Sequence, residues 1–491
     1  MGEGDRPNVL LVVVDTARAD HLGPFGGLAS TPAFDALAGR GRATVAVSAS
    51  PWTVPSHASM FTGLLPFDHG ITGAAAITPD RRLASLRPAI ERHLDRWLPE
   101  LLRRSGYRTL AISANVWITP EMGFDAGFDE FHPVGMARVT PRGVEDHHWR
   151  LRELAPEPVR RRAKRAVRYA RDARRGRDFG AREALGPIRA LAAHPGDRPW
   201  FCFVNVMEAH APYLPPPGFG HLTGRDRLRG PAVNHRYLGD AFVAAYNVGA
   251  GGEVPERDLG LLRALYAAEV EYADRFLGDA LAALESHLDR TLVVVTSDHG
   301  ENLGEDHRLG HVAALDERLV RVPLAVAGPG APVLDSPVTS LADLAPAAAT
   351  AAGVADHPYD RGDREVAVAQ YESAWHHLRR AAEVARRYPL TEPQAAELRT
   401  PATLATDGRA WLLRKGERER AWVSDLGAPR PDGGDDEGDA GAVLQLPARL
   451  RAALDRAATE PGPGPPPGAS PGATPQEEAE IEARLHELGY L

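Results

Sequence analysis

The chain has 491 residues, enough for one large α/β unit with insertions or for a large domain beside a smaller one. Its hydrophobic fraction of 43% suits a globular protein with a sizeable core, and its net charge of −9 argues against a nucleic-acid partner, which calls for a basic surface. A single cysteine, Cys202, excludes an internal disulfide and a multi-cysteine metal site; set among Trp200, Phe201, Phe203 and Val204, it reads as a small core residue of a buried strand.

In chain order, Asn8 to Val14 is a continuous apolar run. It predicts a central parallel strand covered on both faces. The run is too short to cross a bilayer and lacks a basic leader and a small-residue cleavage site, so a cytoplasmic protein without an integral membrane segment is expected. The strand ends at Asp15-Thr16-Ala17-Arg18. An acid there stands where open α/β sheets place their ligands, although a turn or cap acid reads equally well from the residue alone. Thr31 to Ala38 predicts a helix with Pro32 in its first turn. Ala43 to Ser50 predicts a short strand delivering Ser50-Pro51-Trp52-Thr53-Val54-Pro55-Ser56-His57, a loop that passes into a helix. Two roles stay open for Thr53: a helix N-cap, or a nucleophile held where backbone N–H groups and the helix dipole favour an anion.

Leu98 to Ser105 and Thr109 to Ser113 form a helix–strand unit, with Asn115 at the carboxyl end of the strand. From about 133 to 199 the composition shifts, and Arg160-Arg161-Arg162-Ala163-Lys164-Arg165 predicts a solvated helical face within an insertion. The strand Trp200 to Val206 runs into Glu208 and His210, and the Gly- and Pro-rich stretch 215–255 predicts an irregular lid. A long helix, Leu259 to Leu288, holds Tyr266, Tyr272 and Asp274, the last read as a capping or pairing acid. Thr291 to Ser297 is the second strongly buried strand, ending in Asp298-His299-Gly300-Glu301; a loop with His307 and His311 precedes a strand at Val322 to Val326. Beyond about 360, strands at Val366 to Gln370 and Ala402 to Leu426, with turns at Asp407-Gly408 and Gly416-Glu417, predict a small α+β subdomain over 361–460. A disordered Pro/Gly linker at 461–476 and a tail helix at 477–491 close the chain.

Two buried strands thus end in acids, Asp15 and Asp298, and the second acid is followed at once by His299. Together with the Thr53 hydroxyl they make a set suited to one divalent ion, whether Mn, Mg, Ca or Zn. Such an ion lowers the pKa of a bound hydroxyl and neutralises charge on a phosphoryl or sulfuryl group. His57, His210 and His311 are expected to donate hydrogen bonds to the oxygens of a small anionic ester or to protonate its leaving group.

Pro7 to Arg18, Pro55-Ser56-His57-Ala58-Ser59-Met60-Phe61-Thr62-Gly63, Glu208-Ala209-His210-Ala211-Pro212-Tyr213, Asp298-His299-Gly300-Glu301 and Arg321-Val322-Pro323-Leu324, in this order over 7–355, resemble the sulfatase family of the alkaline-phosphatase-like superfamily. The final Leu488-Gly489-Tyr490-Leu491 resembles family tails. The resemblance implies an α/β three-layer sandwich around a mostly parallel sheet over 1–360 and a metal-dependent ester hydrolase. Family sulfatases oxidise a Cys or Ser to formylglycine, followed two and four residues later by Pro and Arg. Here Thr53 and His57 stand at the first and last of those positions, with Pro55 kept. Thr16 replaces the second metal acid and His311 the lysine. A threonine cannot become formylglycine. One acid, Thr, Asp and His around a single ion is similar instead to the phosphoglycerol-transferring, lipoteichoic-acid-synthase-like relatives. Threonine nucleophiles also occur in the nucleotide-pyrophosphatase-like and phosphonate-hydrolase branches. The expected function is hydrolysis of sulfate or phosphate/phosphonate esters through Thr53. Group transfer to an alcohol acceptor and non-catalytic anion binding are the alternatives.

Overall fold

A computed structural model describes residues 6–72, 85–135, 166–167, 169–332, 336–354, 356–359, 364–373, 384, 387–426 and 448–457. The arginine run at 160–165, the linker at 461–476 and the tail at 477–491 lie outside the described residues.

Seven strands make the main sheet: β1 (Asn8–Val14), β2 (Arg42–Val47), β3 (Arg108–Ser113), β4 (Glu130–Pro133), β5 (Trp200–Val206), β6 (Thr291–Thr296) and β7 (Arg321–Ala327), in the order β2-β7-β6-β1-β5-β3-β4. β1 pairs in parallel with β5 and with β6, placing Leu10 opposite Cys202 and Val293. Every residue of these three strands is buried, as expected where helices cover both faces of a parallel sheet. β7 alone runs against its neighbours. Cys202 sits inside this packing, where burial pushes its thiol up to about 12, so it is a core residue as its sequence setting implied.

The helices form the outer layers. α1 (Pro32–Arg40) and α4 (Ala181–Ala193) pack on the long α7 (Glu256–Ala283), while α2 (Thr53–Thr62), α3 (Leu98–Arg104) and α8 (Leu344–Ala351) pack together. The architecture is therefore α/β with a mostly parallel central sheet, as the sequence implied. Asp274 of α7 accepts the Ala33 and Phe34 N–H groups at 3.0 and 2.8 Å. It thereby satisfies two donors that the first turn of α1 cannot pair internally, the capping role expected for it.

Three expectations change. The stretch 215–255 is not irregular: it holds α5 (Gly224–Tyr237), opened by a Thr223–Asp226 capping box, and α6 (Asp240–Asn247). A capping box satisfies two helix-end donors at once, which outweighs a high Gly and Pro content; Pro231 is accommodated inside α5. The region 133–199 is not wholly an insertion, because α4 belongs to the helical layer and buries Ala184, Leu185, Ile188 and Leu191. The strand expected over Ala43 to Ser50 ends at Val47, and Ser48 to Trp52 form the loop that carries the chain to α2.

A second sheet, β8 (Ala367–Tyr371), β9 (Ala402–Thr406), β10 (Ala410–Lys415) and β11 (Arg418–Val423), is antiparallel in sequence order. Its turns fall at Gly408 and Gly416, both with positive φ (93° and 58°), a conformation that glycine adopts without strain. Strand alternation splits β8 between two cores. Ala367, Ala369 and Tyr371 join the main core, while Val368 faces a small cluster with Ala405, Leu412, Leu450 and Leu454. The Gln370 N–H also bonds the Ala49 carbonyl at 2.8 Å, so the C-terminal sheet is continuous with the packing around the Thr53 loop.

Candidate active site

The carboxyl ends of β1, β3, β5 and β6 meet where Asp15, Asn115, His210 and Asp298 leave the sheet. One residue past β1, Asp15 donates its N–H to the Val206 carbonyl at 2.8 Å. Its carboxylate Oδ2 accepts from Asn115 Nδ2 at 2.6 Å, and the Thr53 hydroxyl adds a weaker interaction with the same group. Asp298 is held in a matching way. Its Oδ1 accepts the N–H groups of Thr16 (3.2 Å) and His299 (2.9 Å), and its carbonyl accepts the Ser48 and Ser56 hydroxyls. His299 points Nδ1 at the Gly300 carbonyl at 2.9 Å. A carbonyl only accepts, so Nδ1 carries the hydrogen and Nε2 the lone pair.

What remains after these bonds defines the site. Among the described residues, Asp15 Oδ1, Asp298 Oδ2 and His299 Nε2 are buried without a fitting hydrogen-bond partner. His299 Nε2 stands 3.8 Å from Asp15 Oδ1 and 3.6 Å from Asp298 Oδ2. Three orphaned acceptors facing one another are costly unless a cation fills the space between them. Two carboxylate oxygens and an imidazole lone pair, each fixed by its other atom, fit a divalent ion. The charges agree. Burial, then the Asp298 charge, push Asp15 well above the usual carboxylate range. Burial also works to raise Asp298, but the His299 and His57 imidazoles and two backbone N–H groups outweigh it and hold it low.

Thr53 is the first residue of α2, and its N-cap position is occupied by Trp52 with no side-chain capping bond. The capping alternative for Thr53 therefore falls. Every residue of α2 is buried, so its polar side chains are bonded internally: Ser59 meets His69 at 3.1 Å, and Thr62 bonds the Ala58 carbonyl at 2.7 Å. His57 uses Nδ1 on the Thr53 carbonyl at 2.9 Å, lies 3.7 Å from Asp298 Oδ2, and meets Asn205 through Nε2 at 3.4 Å. Both its nitrogens are engaged within the protein, so it buttresses Thr53 and Asp298 rather than offering a free donor to a substrate.

His210 and His311 lie beside the cluster. The His311 ring is 4.6 Å from that of His299 and 5.3 Å from that of His210. Burial is the main force pushing both down, each to about 4. Glu301, also buried, holds His311 Nδ1 at 3.0 Å and accepts the Tyr213 hydroxyl at 3.1 Å.

Several supporting residues carried no role in the sequence reading. Asn115 was visible as a strand-end residue, but not its bond to Asp15. Tyr266 of α7 donates its hydroxyl to the Thr16 carbonyl (2.7 Å) and accepts the Arg18 N–H (2.9 Å), bolting the turn after β1. That turn holds Thr16 at φ 58°, a left-handed conformation rare for a β-branched residue and characteristic of functional sites. Arg18 bonds Glu305 and the Glu301 carbonyl. Two candidates do not join the cluster. Glu208 turns away from His210 and accepts the Ala181 N–H at the start of α4 at 2.8 Å. His307, with positive φ, lies in an exposed turn.

Glu208 gives a pH prediction. Burial first, then the Asp178 charge, push its carboxyl up to about 7, against about 4.3 in an unfolded chain. A raised folded pKa gives stability that is complete below the unfolded value and lost as pH rises through the folded one. Glu208→Gln keeps the acceptor for Ala181 and cannot ionise. The variant is expected to gain on wild type between pH 5 and 8, by roughly 3 kcal/mol at the upper end. Thermal unfolding of both proteins across that range checks it, and parallel profiles would remove the assignment.

The sheet and the acids at its carboxyl edge agree with a family of hydrolases in the alkaline-phosphatase-like superfamily. The chain belongs to the sulfatase family, whose model matches residues 7–354. It is 26% identical to a sulfatase of Formosa agariphila over 369 residues, 69% of this chain and 68% of that one. It is 27% identical to the choline-sulfatase of Rhizobium meliloti, covering 71% of this chain and 68% of the relative. The phosphonate monoester hydrolase of Agrobacterium radiobacter shares the fold, with a TM-score of 0.56, 19% identity and coverage of 92% and 94%. Among the described residues, no helix is long and apolar enough to cross a membrane.

Proposed function

We propose that this protein hydrolyses phosphate, phosphonate or sulfate esters with one divalent ion held by Asp15, Asp298, His299 and Thr53, and with Thr53 as nucleophile. The observation that carries the reading is the trio of orphaned, mutually facing atoms on Asp15, Asp298 and His299, with the Thr53 hydroxyl beside the Asp15 carboxyl group. When bound, the ion supplies Lewis-acid polarisation and neutralises the charge of the ester head. The Thr53 oxygen forms the new bond to phosphorus or sulfur, and the bond to the alcohol oxygen breaks. The Thr53 proton ends on the leaving alkoxide, passed through His210 or His311. Water then attacks the Thr53 ester in line, releasing the acid and restoring the hydroxyl. His57 and Asn115 act by holding Thr53, Asp298 and Asp15 in place.

Phosphorus is favoured over sulfur. A phosphothreonine is open to in-line attack by water, whereas a sulfated threonine has no geminal hydroxyl through which to eliminate sulfate. Initial rates on an aryl sulfate, a phosphate monoester, a phosphodiester and a phosphonate monoester, each with Mn, Mg, Ca and Zn, test this. A phosphorus ester is expected to give the highest kcat/KM, and a sulfate preference would overturn the phosphorus assignment. Little free acid, with capture of the group by added glycerol, would point to transfer instead.

A further inference from the structure

The lid helix α6 brings to this site one carboxylate that the mechanism above leaves unused. Asp240, the first residue of α6, lines a cavity with His210, Glu301 and His311, bounded on its apolar side by Leu238 and Val243. The cavity is about 20 Å³, room for a single group the size of water. Gly310 lets α6 pack closely at its edge, because a Cβ there would stand 2.9 Å from Val243 Cγ1.

The lining is rich in acceptors. Glu301 is committed to His311 and Tyr213 through its two oxygens, each of which retains acceptor capacity. Asp240 is half-buried and makes no hydrogen bond or ion pair among the described residues, although it lies near Glu301 in the cavity wall. Burial and the Glu301 charge push its carboxyl up to about 8. A helix-dipole role accounts for an exposed acid in a first turn, but not for one turned into a pocket beside a second acid. The group that relieves this corner is a hydrogen-bond donor.

The position of the cavity says which part of a substrate would reach it. His311 touches the metal-cluster ring of His299 on one side and lines the cavity on the other. An ester with its head at the cluster and its alcohol portion extended past His210 and His311 would reach α6. We propose that Asp240 selects the leaving alcohol, accepting a hydrogen bond from a hydroxyl or ammonium group that the alcohol carries. This rests on the reading of the cluster and Thr53 as the ester-cleaving centre.

The test uses the 2-aminoethyl, 2-hydroxyethyl and propyl monoesters of phenylphosphonic acid with the metal-loaded full chain. Wild type is expected to prefer a donor-bearing ester over the propyl ester by about 10- to 100-fold in kcat/KM, the scale of a hydrogen bond to a charged group. In Asp240→Ala that ratio should fall to within about threefold. Asp240→Asn, which preserves shape, should keep the hydroxyl preference and lose the ammonium preference if ammonium is the natural donor. Equal wild-type rates on the three esters, or an undiminished ratio in Asp240→Ala, would overturn the proposal. Should no ester be cleaved, the ester-cleaving reading fails separately. Calorimetric binding of the same three esters to wild type and Asp240→Asn then decides Asp240, and equal affinities in wild type would overturn its role.

Discussion

Thr53→Ala is expected to lower ester hydrolysis by roughly 10⁴-fold or more, the scale on which loss of a covalent nucleophile acts. Asp15, Asp298 and His299 are anchored by Asn115, by backbone N–H groups and by the Gly300 carbonyl. None of these anchors involves the Thr53 side chain, and three of the four proposed ligands remain, so the variant should keep its fold and still fill with metal at saturating ion. Activity lost at unchanged metal content separates a nucleophile from a mere ligand. Thr53→Ser should keep a substantial part of the rate, because it supplies a hydroxyl at the same helix start. Quenching wild type during turnover should trap a phosphoryl-type adduct on the peptide containing Thr53, visible by mass spectrometry. An Ala variant as active as wild type would refute the assignment.

Removing the metal should have an effect of similar size. Asp298→Ala is expected to take bound divalent ion from one per chain to none and to abolish hydrolysis. In wild type, an ion at 100 times its dissociation constant should stabilise the fold by about 2.7 kcal/mol, an increment the variant should not show. The dependence on pH has a definite sign. Without the ion, burial and Asp298 push Asp15 upward, so the empty site takes up a proton that must leave on loading. Apparent metal affinity should therefore weaken as pH falls. Elemental analysis and thermal unfolding with and without chelator check both statements, and a full complement of metal in Asp298→Ala would contradict them.

Much of this was legible in the sequence because central parallel strands are short apolar runs with chemistry at one end. Asn8 to Val14 and Thr291 to Thr296 could be read as buried on both faces, and the acids that close them fell where α/β sheets gather ligands. Asp274 could be read as structural from its place on a long helix. Thr53 was ambiguous because a hydroxyl at a loop–helix junction serves equally as cap or nucleophile. The distinction depends on one residue of phase: Trp52 occupies the N-cap position, and Thr53 falls inside the first turn.

The partners were not legible, since they lie far apart along the chain. Asn115 reaches Asp15 across 100 positions and Tyr266 reaches Thr16 across 250. Nothing in the local sequence of either names the other. The lid was misread for a different reason: Gly and Pro counts ignore the Thr223–Asp226 capping box that starts α5 and leads the chain to α6. By itself, then, the sequence determined the family, the strand ends and the candidate ligands, because periodicity and short motifs are local properties. The tertiary structure alone decided which atoms of Asp15, Asp298 and His299 are left unbonded, that both nitrogens of His57 are engaged within the protein, and that Asp240 shares a cavity with His210 and His311. Those outcomes depend on which groups meet in space and on the high energy of leaving a buried polar atom unpaired.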